Sequence, residues 1–297
     1  MKCTAGLLLF APLLAAHAGG SLHPDDLWSA WEWQPGVVIP LAVSAFLYAR
    51  GARLSRGITR RRMALFWAGW GWLAAALVSP LHPLGEVLFS AHMAQHEILM
   101  LAAAPLLVLS RPLVPMLWGL PFEWRRRAGQ WSKAPPVQHL WHGLTEPLSA
   151  WWIHAIALWV WHIPALFQAT LASEWVHTAQ HLSFFLSALL FWWALFYARG
   201  RGGDGAAVFY VFTTAVHTGI LGALLTFSPV VLYPAYTGTA RLWGFTALQD
   251  QQLGGLIMWV PAGAVYLAAG LALFARWLRE SDRMLAQRSY ANQRFLS

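Results

Sequence analysis

The sequence predicts an all-α membrane protein, a polytopic bundle of about seven transmembrane helices with its N-terminus outside and its C-terminus in the cytoplasm. Three observations carry this. Of 297 residues, 58% are hydrophobic and only 11% are charged, whereas an ordinary soluble domain carries about 25% charged residues. Apolar runs recur along the chain, each long enough to cross roughly 30 Å of hydrocarbon. All of the 20 Lys and Arg residues except Lys2 and Arg241 fall on one side of those runs, as the positive-inside bias requires.

Residues 1–18 read as a secretory signal, with a retained anchor as the alternative. Lys2 precedes an apolar core from Leu7 to Ala16, and Ala16-His17-Ala18 forms a small-x-small cleavage site. Cleavage would leave an exported tail, 19–34, with His23, Trp28, Trp31 and Trp33. The membrane domain, 35–275, divides into spans at about 35–49, 64–80, 89–110, 148–166, 174–197, 207–228 and 252–275. A basic cytoplasmic tail, 276–297, follows.

Basic residues set the orientation. Arg50, Arg53, Arg56, Arg60, Arg61 and Arg62 follow the first span, and Arg111, Arg125, Arg126, Arg127 and Lys133 follow the third. Arg199 and Arg201 follow the fifth, and five more arginines follow the last. The net charge of +8 is therefore a signature of topology and anionic lipid, not of nucleic acid. Such a chain belongs in a membrane, with its basic connections on the cytoplasmic side.

Two connections exceed simple turns. The stretch 111–147 is rich in Pro and in Trp118, Trp124, Trp131 and Trp141, a mixture suited to a membrane surface. The outer loop 229–250 holds Tyr233, Tyr236 and Trp243 and ends at Gln249-Asp250. Pro40, Pro105, Pro164 and Pro261 lie in or near spans, where proline frees carbonyls and bends helices.

Conventional catalysis finds no support. There is no nucleotide-binding loop, no Gly-rich phosphate motif and no Ser nucleophile with a plausible triad, so a non-enzymatic protein is expected. Cys3 is the sole cysteine, which leaves soft-metal chemistry to His and Met.

The histidines are where chemistry concentrates. His92 and His96, four residues apart, share one helix face near the outer end of the third span, and His177 and His181 repeat this in the fifth. His162 lies just below the outer end of the fourth span, beside Pro164. His82 sits just beyond the second span on the same side, whereas His217 and His154 lie deeper. Ionisable residues inside spans usually face the bundle interior and mark a function. Neutral imidazole suits copper, zinc and iron, and thioether suits Cu(I). The expected metal set is His92, His96, His162, His177, His181 and Met93, with Met100 and Met258 nearby. Glu97, Asp250 and His217 are candidates for a supporting shell; Asp250 equally suits a helix cap.

Four motifs carry a resemblance to a known family. His92-Met-Ala-Gln-His96, Trp159-Val-Trp-His-Ile-Pro164, the His177/His181 pair and Asp250-Gln-Gln-Leu-Gly-Gly-Leu-Ile-Met-Trp-Val-Pro261 resemble the multi-span CtaG family. Its members are described as assembly factors for caa-type cytochrome c oxidases in bacteria. The resemblance runs from about residue 30 to 280. It implies a role in making active oxidase, at the step where copper reaches its site. A single-span copper chaperone shares the CtaG name but binds metal through paired cysteines, which this chain lacks.

The expectation is an assembly factor that holds copper transiently near the outer face. Its partners would be a copper donor on that side, oxidase subunits reached laterally, and the lipid bilayer. Two alternatives stand beside it. One is a bis-His haem b electron-transfer protein, for instance with His96 and His181 as axial ligands. The other is a cofactor-free scaffold whose histidines only pack and hydrogen-bond.

Overall fold

Prolines and a few polar caps cut the apolar sequence into helices. A computed structural model describes residues 22–55, 57–197 and 203–296. The leader expected at 1–18 and Arg56, Arg199 and Arg201 lie outside these residues. Helix α1 (Pro35–Leu54) starts on a proline, which lacks the N–H that a first turn leaves unpaired anyway. Helix α2 (Arg60–Val78) starts at Thr59, whose hydroxyl accepts the amide of Arg62 at 3.3 Å. After a break at Ser79-Pro80, α3 (Leu81–Val87) leaves at 44° to α2.

Leu88 is extended and separates α3 from α4 (Phe89–Glu97). The same span continues through a π-helical stretch, Ile98–Ala103, into α5 (Ala104–Ser110). Pro105 supplies the cause. It has no amide to donate, and its ring crowds the carbonyl four residues back, so the helix widens before it. The indole of Trp192 takes up one carbonyl in this stretch, donating to Met100 at 2.9 Å. Arg111, at φ 52°, ends the span, and its guanidinium lies 4.1 Å over the Tyr197 ring.

The connection that follows folds into α6 (Leu113–Gly119), α7 (Phe122–Trp131) and α8 (Pro135–Thr145). Trp118, Trp124 and Trp131 are exposed along it. Helix α6 crosses α1 closely enough that a Cβ on Gly51 or on Gly119 would strike the facing backbone.

The fourth expected span differs from a single helix through 166. It breaks into α9 (Pro147–Trp161) and α10 (Pro164–Ala172), bent by 76°. Pro164 holds Ile163 extended, as proline does to its predecessor. Helices α11 (Glu174–Tyr197) and α12 (Gly203–Thr226) are continuous. Helix α13 runs from Ala247 to Leu296, so it begins earlier than the expected 252 and carries on through the basic tail.

Among the described residues, five helices are long and apolar enough to cross a membrane, or up to seven if each bent pair is one span. The protein is an all-helical membrane bundle. Its centre is the span Phe89–Ser110, with 56% of its apolar window buried against 17% for α1. Helices α2, α11 and α13 surround that span. Helices α4 and α11 begin at the same end of the bundle, which is where the histidines meet.

Candidate metal centre

Helices α4 and α11 carry the same five-residue pattern, His92-Met-Ala-Gln-His96 and His177-Thr-Ala-Gln-His181. With 3.6 residues per turn, positions one, four and five of this pattern share a face. The two faces meet. Ring centroids lie 4.3 Å apart for His92 and His96, 4.3 Å for His177 and His181, 5.1 Å for His92 and His177, and 5.0 Å for His96 and His181.

A fifth imidazole arrives from α3. His82 stacks on His177 at 5.3 Å and approaches His181 at 5.8 Å. It lies on a short helix beside the cluster, not merely beyond the end of a span, because the chain folds on past Ser79-Pro80 as α3, which packs against α4. Among the described residues, two groups of three could each hold an ion with one ring nitrogen per residue: His92, His96 and His181, and His82, His177 and His181. In each group the candidate donor atoms all lie within 4.8 Å of one another. His181 belongs to both.

The hydrogen bonds divide these imidazoles into two kinds. His96 has both ring nitrogens buried without a partner, and Nε2 of His177 and of His181 is likewise unpaired. His92 and His82 are instead each held by a glutamine from the repeated pattern. His92 Nδ1 lies 3.3 Å from the Gly85 carbonyl, and its Nε2 lies 3.2 Å from the Gln180 amide. The Gln180 oxygen is on that side, so His92 Nε2–H donates to it; the other tautomer, with the proton on Nδ1 donating to Gly85, is the one that frees Nε2 for a ligand. The Gln95 amide donates to the Ala76 carbonyl at 2.7 Å and to His82 Nδ1 at 2.8 Å. The proton of His82 therefore sits on Nε2, which faces the Glu32 carboxylate at 3.2 Å.

The remaining expected residues take other places. His162 closes α9, and its Nδ1 donates to the Leu158 carbonyl at 2.6 Å while Nε2 is unpaired. It is close enough to His92 and His96 to act on them electrostatically, but it joins neither group of three. Met93 and Met258 are buried in an apolar cluster with Phe89 and Phe167, while Met100 packs with Phe184 and Trp192. Glu97 leaves a buried Oε2 without a partner. His217 lies apart, its ring 5.7 Å from Trp151.

Asp250 is a cap, and it caps another helix. Its carboxylate accepts the amides of Phe89 at 2.6 Å and Ser90 at 3.1 Å, together with the Ser90 hydroxyl. Leu88 offers no side-chain acceptor at the start of α4, so α13 supplies one. Gln251 and Gln252 hold the preceding loop. Gln251 accepts the Leu232 amide at 2.7 Å and donates to the Val230 carbonyl at 3.1 Å, and Gln252 donates to the Ser228 carbonyl at 3.2 Å.

That loop closes over the cluster. The Tyr233 hydroxyl donates to the His162 carbonyl at 2.9 Å, and that of Tyr236 donates to the Gly85 carbonyl at 3.0 Å, beside His92. Both tyrosines are buried. Burial pushes both phenols above their usual range, and for Tyr236 the carboxylates of Asp250 and Glu86 add to the effect.

Sequence reading missed Gln95, Gln180 and Tyr236 as site residues, and it placed His82 nearby without including it. The repeated His-x-Ala-Gln-His pattern was the available signal for the glutamines. No local pattern marks Tyr236, which reaches the site from 144 residues along the chain.

Fold and site define a polytopic helical membrane protein with a histidine-lined core beneath a tyrosine-bearing loop. The chain belongs to the cytochrome c oxidase caa3 assembly factor family, Caa3_CtaG, whose model matches residues 46–280. Uncharacterised proteins of Mycobacterium bovis and Mycobacterium tuberculosis are each 28% identical to it over 235 residues, covering 73% of this chain and 35% of the relative. One from Mycobacterium leprae is 24% identical over 212 residues, covering 67% of this chain and 31% of its own. The chain thus spans about a third of the length of the curated relatives it matches. No solved structure matches it significantly.

Proposed function

We propose that the protein supports assembly of cytochrome c oxidase by holding copper, as cargo, at His92, His96 and His181, with His177 alongside. The observation that carries this reading is the convergence of unpaired ring nitrogens on His96, His177 and His181. Buried polar atoms without partners are costly and rare, and an ion among them would supply the missing interaction. Neutral imidazole is a ligand type that copper favours.

The role is one of binding and transfer, not of catalysis. The basic residues argue that the site lies toward the outer face of a bacterial inner membrane. A donor would deliver copper from that side, and oxidase subunits would receive it through lateral helix contacts. His162 and Met93 border the site, and Asp250 and the tyrosines hold its walls in register.

Ring packing favours a bare ion over haem b. Phe184 lies 4.7 Å from His96, Phe167 lies 5.0 Å from His92, and the imidazoles touch one another. A macrocycle between axial histidines would require these helices to part. A cofactor-free scaffold would leave the lost hydration of three imidazoles uncompensated.

Metal analysis and absorption spectroscopy of the purified protein test this reading. Bound copper without a Soret band is expected. Replacing His96 and His181 by Ala should remove copper and impair oxidase activity in cells that still accumulate the protein. Normal oxidase activity with both replaced would overturn the reading.

A further inference from the structure

The two groups of three histidines are built alike. Each contains two imidazoles with an unpaired nitrogen and one held by a glutamine amide. In the buried group these are His96 and His181 with His92, the last held by Gln180; in the other they are His177 and His181 with His82, the last held by Gln95. The groups differ in burial. His92 and His96 are 0% and 1% exposed, whereas the His82 side chain and its partner Glu32 are each 13% exposed.

We infer that His82, His177 and His181 form a receiving station for a metal ion. From it the ion passes to His92 and His96 by pivoting on the shared His181. This rests on the metal-site reading above and adds an order to it. The Glu32 carboxylate draws the proton of His82 to Nε2, so Nδ1 carries the lone pair, which the Gln95 amide occupies. A carboxylate behind an imidazole in this way orients the ring and raises its basicity as a ligand.

The glutamines make the transfer stepwise. An arriving ion takes the place of the Gln95 amide on His82 Nδ1. On moving inward it takes the place of the Gln180 oxygen at His92 Nε2, whose proton is carried instead on Nδ1 toward the Gly85 carbonyl. At each step one imidazole, His181, stays bound, so the ion is never stripped of all protein ligands. The amide released at the first step can return to His82 once the ion has moved. No electron transfer is needed, only exchange of neutral donors and the tautomer shift of His92.

The test is loading of the purified full-length protein with Cu(I) buffered by a colorimetric chelator, followed in time and at equilibrium. Wild type should load quickly and then resist the chelator. His82→Ala and His177→Ala should each slow loading by roughly tenfold or more. His96→Ala should load as fast as wild type but give the ion back readily to the chelator. His82→Asn keeps a polar group for Gln95 and should be slow as well, which separates loss of the ligand from loss of packing. Wild-type loading rates in the His82 and His177 variants, with copper still bound, would overturn the relay and leave the metal site standing. Failure of the wild-type protein to bind Cu(I) would overturn both.

Discussion

The carboxylate of Asp250, on α13, accepts the backbone amides of Phe89 and Ser90 at 2.6 and 3.1 Å and so starts the helix that bears His92 and His96. A cap normally lies next to its helix; this one is 160 residues distant in sequence. Replacing Asp250 by Ala leaves two buried amides unpaired and should lower stability by about 2–4 kcal/mol. Thermal unfolding in detergent would show a lower midpoint, with copper retention falling alongside it. An unchanged midpoint would mean that the capping bonds contribute nothing.

Gln180 should oppose copper binding even as it steadies the empty site. Gln180→Leu removes the oxygen that accepts from His92 Nε2–H, and the orphaned nitrogen should cost about 1–3 kcal/mol without metal. Copper would then satisfy that nitrogen. The rise in unfolding temperature on adding Cu(I) should therefore be larger in the variant than in wild type. An equal or smaller rise would show that His92 does not ligate.

Tyr233 and Tyr236 make the loop over the site sensitive to alkali. Their phenols ionise above the usual range in the folded protein because burial penalises the phenolate. The unfolded chain ionises near pH 10. Their contribution is thus complete below about pH 10 and is lost as pH rises from there toward the folded values. Unfolding temperature should fall steeply above that point in wild type and less steeply in Tyr233→Phe/Tyr236→Phe. Parallel curves for the two proteins would rule out the phenols as the cause.

Gly255 is a packing constraint between α12 and α13. A Cβ there would lie 2.6 Å from the Thr226 amide and 2.7 Å from the Gly222 carbonyl. Gly255→Ala should force the helices apart and cost about 1–3 kcal/mol. Gly263, on the same helix, has nothing within 4 Å of such a Cβ, so Gly263→Ala should be nearly neutral. Similar losses in both variants would point to helix α13 as a whole, not to the crossing.

Much of the helical layout is legible locally because hydrocarbon demands it. The fifth expected span, 174–197, coincides with α11, and the third, 89–110, with α4 through α5. Breaks were harder. Pro164 announced a bend, but the 76° turn that splits α9 from α10 depends on how each half packs. The second span likewise reads as ending near Pro80, while Leu81–Val87 folds on as α3 and brings His82 to the cluster.

By itself the sequence determined that this is a helical membrane protein and that two helix faces, each with a pair of histidines four residues apart, begin near one end of it. Length, apolarity and helical period are properties of neighbouring residues, so a linear chain displays them. The tertiary structure alone decided which nitrogens are open and which are occupied. It showed that Asp250 caps a distant helix, that Gln95 and Gln180 hold His82 and His92, and that His181 stands in both groups of three. Hydrogen-bond partners and ligand groups are set by distances of a few ångströms between segments far apart in the chain, and those exist only once the helices have packed.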